Sequence, residues 1–112
     1  MKRKHRFLLV KLERSAPLSE AEARVLVEEA VLEALGERGA SQAQARLRWF
    51  NAKEQLALVY CSLEGVEPVI SAFALKRYFG GKDAALRLQK VFGTLKKAEG
   101  LFPDAPKPGQ KG

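Results

Sequence analysis

The 112-residue sequence predicts an α+β fold, on three observations. Helix-forming and strand-forming segments alternate along the chain rather than standing in separate blocks. Glycine or proline punctuates the joins, as at Pro17, Gly36, Pro68, Gly80 and Gly93. The length suits a single compact domain, and an apolar share of 46% is ample for one core.

Residues 6–13, RFLLVKLE, form an apolar run between a basic cluster and the turn-like Arg14-Ser15-Ala16-Pro17, and read as a first strand. Ser19 followed three residues later by Glu22 is a capping box, and Leu18 can supply the hydrophobic staple, so a helix begins here. Its interior of Ala, Leu, Glu and Val runs to Leu35, with Gly36 as the stop. Gly39-Ala40-Ser41 reads as a connector, with room for an extra turn over 42–44. Residues 45–50, ARLRWF, and 55–63, QLALVYCSL, are strand formers separated by the hairpin-length Asn51-Ala52-Lys53-Glu54, and should pair antiparallel.

Pro68 suits the first turn of a second helix, which VISAFALKRYF continues until Gly80-Gly81 ends it. Residues 84–92, AALRLQKVF, make a last strand, with Leu86, Leu88 and Lys90 on one side and Arg87, Gln89 and Val91 on the other. Thr94 caps a short C-terminal helix through Lys96, Lys97 and Leu101. The remaining 103–112, PDAPKPGQKG, is too poor in apolar residues for ordered structure and is expected to be a disordered tail.

This order is that of a ferredoxin-like (RRM-like) sandwich: a four-stranded antiparallel sheet with two main helices on one face and a short C-terminal helix, all within residues 1–102. Such a topology puts the first and third strands in the middle. Both are apolar at both alternating sets: Phe7 and Leu9 against Leu8 and Val10, then Leu56 and Leu58 against Ala57 and Val59. A strand with one wet face alternates, so both faces are expected to be covered. The C-terminal helix or a partner protein is expected on the second face, with Phe7, Leu9, Leu56 and Leu58 as the contact residues.

Lys and Arg outnumber Asp and Glu by 20 to 13, a formal net charge of +7 that attracts polyanions. The cations recur at positions this fold can gather: Lys2, Arg3, Lys4 and Arg6; Arg46 and Arg48; Lys82, Arg87 and Lys90; Lys96 and Lys97. Arg46 and Arg48, two apart on one strand, are expected to share a face and to meet phosphates without reading sequence. Trp49, Phe50 and Tyr60 are read as core aromatics, because the third strand lacks the basic, glycine and aromatic signature of RNA-recognition-motif domains.

Other chemistry is poorly supplied. Cys61 is the only cysteine, so neither an internal disulfide nor a multi-thiolate zinc site forms within one chain, and a reducing cytoplasm fits best. His5 is the only histidine and has no acid beside it, which argues against a nucleophilic triad. The glutamates at 20, 22, 28, 29 and 33 read as the solvated surface of the first helix rather than a metal site. Gly80-Gly81-Lys82 lacks the full phosphate-loop spacing and is a turn with a lysine. The apolar run from Phe7 to Val10 is far shorter than a signal-peptide core, and no stretch approaches the roughly 20 residues of a membrane span, so a soluble cytoplasmic protein is expected.

Three blocks carry a resemblance: RKHRFLLVKL, RWFNAKEQLALVYC and RLQKVFGTLKKAEGLF. In this order and separation they resemble the small protein subunit family of ribonuclease P and RNase MRP, whose archaeal members are called component 2. The resemblance implies a ferredoxin-like sandwich that binds the ribonuclease P RNA together with a barrel-like partner, ribonuclease P protein component 3. It also implies help in removing the 5′ leader of precursor tRNA, with the substrate met indirectly and two copies sitting in a heterotetramer. Catalysis then belongs to the RNA and its Mg2+, and this chain binds no cofactor or metal of its own. The family's basic start falls on Lys4, His5 and Arg6, and its glycine-threonine turn with a basic pair falls on Gly93, Thr94, Lys96 and Lys97. Val91 and Phe92 stand here where relatives carry smaller residues.

Two other readings compete. An acylphosphatase-like hydrolase would use Arg6 and Asn51, but the glycine-rich loop it needs is replaced by Ser15-Ala16-Pro17-Leu18. A protein-binding scaffold would use its charge for solubility alone.

Overall fold

The computed structural model describes residues 4–93. β1 (His5–Arg14), α1 (Glu20–Ala43), β2 (Arg46–Asn51), β3 (Leu56–Ser62), a 3-10 turn (Leu63–Gly65), α2 (Val66–Leu75), β4 (Tyr78–Phe79) and β5 (Lys82–Phe92) follow in that order. The antiparallel sheet runs β2-β3-β1-β5-β4, with β1 and β3 central as expected.

The capping box that starts α1 is complete. Ser19 Oγ accepts from the Glu22 backbone N–H at 3.2 Å, and the Ser19 N–H donates to Glu22 Oε1 at 3.0 Å. These hydrogen bonds hold the Glu22 carboxyl below its ordinary range. Leu18 and Ala23, the staple positions, are both buried. α1 and α2 cover one face of the sheet, where Leu8, Val10 and Leu12 of β1 and Ala57, Val59 and Cys61 of β3 pack with Leu26, Val27, Val69 and Phe73.

Three expectations are corrected. The sheet has five strands, not four, because α2 stops at Leu75 instead of running to Phe79. Lys76 leaves the helix in extended geometry and is drawn into the protein, its Nζ 2.9 Å from Glu33 and 3.3 Å from Glu29 of α1. Tyr78 and Phe79 then pair with Asp83 and Lys82 across a two-residue turn. Gly80 and Gly81 have φ of 60° and 77°, the two positive values a tight hairpin needs.

α1 does not end at Gly36. That residue sits at φ 72° and ψ 177°, a conformation open to glycine alone, but the helix resumes and runs to Ala43, capped by Gln44 in left-handed geometry. The expected connector at 39–41 is therefore helical.

Finally, the register of β5 shifts between its pairings with Leu9 and Val10 of β1, leaving Gln89 as a bulge. Leu88 and Leu86 oppose Val10 and Leu12 on the helix side, whereas Lys90 opposes Leu9 on the other face. Lys90 thus lies across the sheet from Leu86 and Leu88, because the extra residue reverses the alternation. The expected C-terminal helix from Thr94 and the tail over 103–112 lie outside the described residues.

Candidate nucleic-acid interface

The second face of the sheet is built in rows that the pairing register defines. Arg46, Tyr60, Phe7 and Phe92 form one row across β2, β3, β1 and β5. Trp49, Leu58, Leu9 and Lys90 form the next, and Asn51, Leu56, Lys11 and Arg87 a third. Leu9, Leu58 and Phe92 are buried at the centre, with Phe7, Trp49 and Leu56 half-buried around them. The face is apolar in its middle and basic at its edges.

Aromatic rings and cations are interleaved. The His5 ring stacks on Tyr60 with centroids 4.4 Å apart and planes 16° from parallel, and Phe7 tilts against the other residue of the pair, Tyr60, at 5.3 Å. The Arg48 guanidinium lies 5.6 Å from the Trp49 ring centre, and Lys90 Nζ lies 5.2 Å from that of Phe92. Such cation–π placement holds a long side chain without neutralising it. Arg87 is different, since its Nε donates to Glu13 Oε1 at 2.6 Å and that carboxylate raises its pKa.

Charge is unevenly distributed between the layers. α1 carries Glu20, Glu22, Glu28, Glu29, Glu33 and Glu37 against Arg24 and Arg38. The two carboxylates that the register puts on the second face, Glu13 and Asp83, lie at the end remote from His5. The chain therefore presents an acidic helix layer and a basic sheet face.

Of the expected RNA-binding residues, His5, Arg46, Arg87 and Lys90 come together on this face. Arg48 sits in a bulge between Leu47 and Trp49, not in simple alternation with Arg46, and reaches the same face through its contact with Trp49. Lys4 is exposed just ahead of β1. Arg6 does not join them: it opposes Cys61 on the helix side, lines a cleft with Glu64, Glu67 and Val91, and donates to the His5 carbonyl at 2.9 Å. Lys82 is at the β4–β5 hairpin, opposite Phe79. Lys2, Arg3, Thr94, Lys96 and Lys97 lie outside the described residues.

Of the four expected partner contacts, Leu9 and Leu58 are already buried in this chain, which leaves accessible area to Phe7 and Leu56. Phe50 packs, half-buried, against the helix-side core, and Trp49, also half-buried, against the second-face cluster. Tyr60, as half-buried as these two, departs from the core-aromatic reading by stacking on His5. Sequence reasoning passed over Lys11, although its alternation with Phe7 and Leu9 marks it for this face; its Nζ donates to the Glu54 carbonyl.

Arg6 and Asn51 do not form a hydrolase site. They oppose Cys61 and Leu56, five positions apart on β3 and on opposite faces, so roughly 16 Å of strand separates them. Asn51 Oδ1 instead accepts from the Glu54 N–H at 3.1 Å and shapes the turn. Burial pushes the Cys61 thiol up to about 11, far from thiolate chemistry at neutral pH. Among the described residues no helix is long and apolar enough to cross a membrane.

Residues 6–102 match the model of the Rpp14/Pop5 family. The chain is 29% identical over 99 residues to ribonuclease P protein component 2 of Pyrococcus abyssi, covering 88% of this chain and 84% of that protein. It is 28% identical over 99 residues to the protein of the same name in Pyrococcus horikoshii, covering 88% and 82%. In structure it resembles a chain in the cryo-EM structure of yeast ribonuclease MRP, with a TM-score of 0.67 at 10% identity over 85% of this chain and 78% of that one.

Proposed function

Since the chain belongs to the Rpp14/Pop5 family, we propose that it is a protein subunit of ribonuclease P that holds the catalytic RNA and a partner protein while the RNA removes 5′ leaders from precursor tRNA. The family match over residues 6–102 carries this reading, and the basic second face supports it.

The physical role follows from charge. RNA helices that pack around an active site bring phosphates together, and that repulsion is ordinarily met by Mg2+. Arg48 and Lys90, each held against an aromatic ring, and Arg46, opposite Tyr60 in the register, make no ion pair among the described residues and offset it with fixed cations. Such contacts position the RNA without reading its sequence. The partner protein is component 3, met through the half-buried Leu56 at the Asn51 end of the face. The working compartment is the cytoplasm.

The test is precursor-tRNA cleavage by the cognate ribonuclease P RNA and component 3 at limiting magnesium, with and without this chain. Stimulation that fades as magnesium rises is the expected result. No stimulation at any magnesium concentration would overturn the proposal.

A further inference from the structure

The geometry points to the His5–Tyr60 stack as the seat of an unpaired RNA base, with the neighbouring phosphates of the same strand held by Arg46 and Lys90. This rests on the RNA-binding reading above and adds to it a ligand class, single-stranded RNA, and a place.

Four observations carry it. The two rings are nearly parallel at 4.4 Å, so they already present a stacking surface, and both are half-buried rather than enclosed. Phe7, tilted against Tyr60 and paired with it across the strands, backs the stack and fixes its position. Arg46 stands opposite Tyr60 at one edge of the ring row, and Lys90 reaches over Phe92 at the other edge from the adjacent row, so cations flank the rings on both sides. Glu13 and Asp83 are at the remote end of the face, which leaves the charge around the stack complementary to a phosphodiester strand. Every base has a π-face, so an aromatic platform between cations takes an unpaired nucleotide of any sequence, whereas a duplex keeps its bases stacked inside and offers only phosphates.

The experiment uses the full chain and two probes: a short single-stranded oligoadenylate carrying one 2-aminopurine, and a duplex of the same length. Binding is followed by titration at several salt concentrations, and stacking by quenching of the 2-aminopurine emission. The wild type is expected to bind both probes and to quench the single strand. His5→Ala and Tyr60→Ala should each weaken single-strand binding about tenfold, abolish the quench, and leave duplex binding and the salt slope unchanged. Tyr60→Phe should retain both affinity and quench. His5→Ala, at the first residue of β1, keeps the test open should Tyr60→Ala fail to fold. Single-strand binding with no quench, or with full affinity in both alanine variants, would overturn the platform and leave the RNA-binding reading standing. Failure of the wild type to bind either probe at any salt concentration would overturn both.

Discussion

The two faces of the sheet use the same three central strands for different ends. On the helix side, Leu8, Val10, Ala57, Val59 and Cys61 are wholly buried and meet α1 and α2 in one continuous core. On the other side, among the described residues, the buried apolar cluster is Leu9, Leu58 and Phe92, inside a rim of half-buried rings and exposed cations. Burial stabilises in proportion to apolar area, so the helix side holds the fold together. The second side buries less apolar area and leaves its rings half-buried and its cations exposed. A strand that is apolar on both faces is therefore no proof that both faces serve stability.

Substitutions separate the two roles. Phe73→Ala, which removes the largest fully buried side chain of the helix-side core, should cost about 3–5 kcal/mol in denaturant unfolding and lower RNA binding only through loss of folded protein. Leu58→Ala tests whether the second-face cluster is a true core. Being fully buried, it should cost about 2–4 kcal/mol, and a cost below about 1 kcal/mol would show that side to be merely covered.

Alkaline stability reads the helix side through its thiol. Cys61 in the unfolded chain ionises near its ordinary 9.0, whereas in the fold burial raises it to about 11, so the folded state keeps a proton that the unfolded state loses. Stability should fall across pH 9–11 by roughly 2–3 kcal/mol, and the fall should be largely absent in Cys61→Ala. Lys76 adds a contribution of the same sign at higher pH. Burial works against its charge, but hydrogen bonds and attraction from Glu33 and Glu29 outweigh this and raise its pKa, giving stability that is present below the ordinary ammonium pKa and lost as pH rises past the raised one.

Gly36→Ala should cost about 1–3 kcal/mol, because alanine cannot hold φ 72° with ψ 177° without strain. The smallest stability effect belongs to the second face. Arg46→Gln with Lys90→Gln should change stability by less than about 0.5 kcal/mol while lowering the salt slope of RNA binding by about 2. An unchanged slope would remove these two residues from the interface.

Features that depend on near neighbours were legible from the chain alone. Ser19 and Glu22 mark the start of α1 because a capping box closes within one turn. The order of the main strands and helices followed from periodicity, and the apolar residues at both alternating sets of β1 and β3 led to the expectation of a covered second face. What was hidden depends on partners far away in sequence. β4 exists because Arg14 lies 5.7 Å from the Phe79 ring and donates to its carbonyl at 3.1 Å, 65 residues away. α2 ends early because Lys76 meets glutamates on α1, 43 residues away in the case of Glu33.

The candidate site divides in the same way. Composition alone determined that this protein is basic, and alternation determined which side chains of β1 share a side, since both depend only on residue identity and the two-residue strand repeat. Only the tertiary structure decided which cations stand together. One extra residue at Gln89 carries Lys90 across the sheet and one at Arg48 breaks its simple alternation with Arg46, while the packing of the helices sets Arg6 beside Glu64 and Glu67. A bulge is a property of a pair of strands, set by what each must bury against its neighbour, and no single strand's pattern contains it.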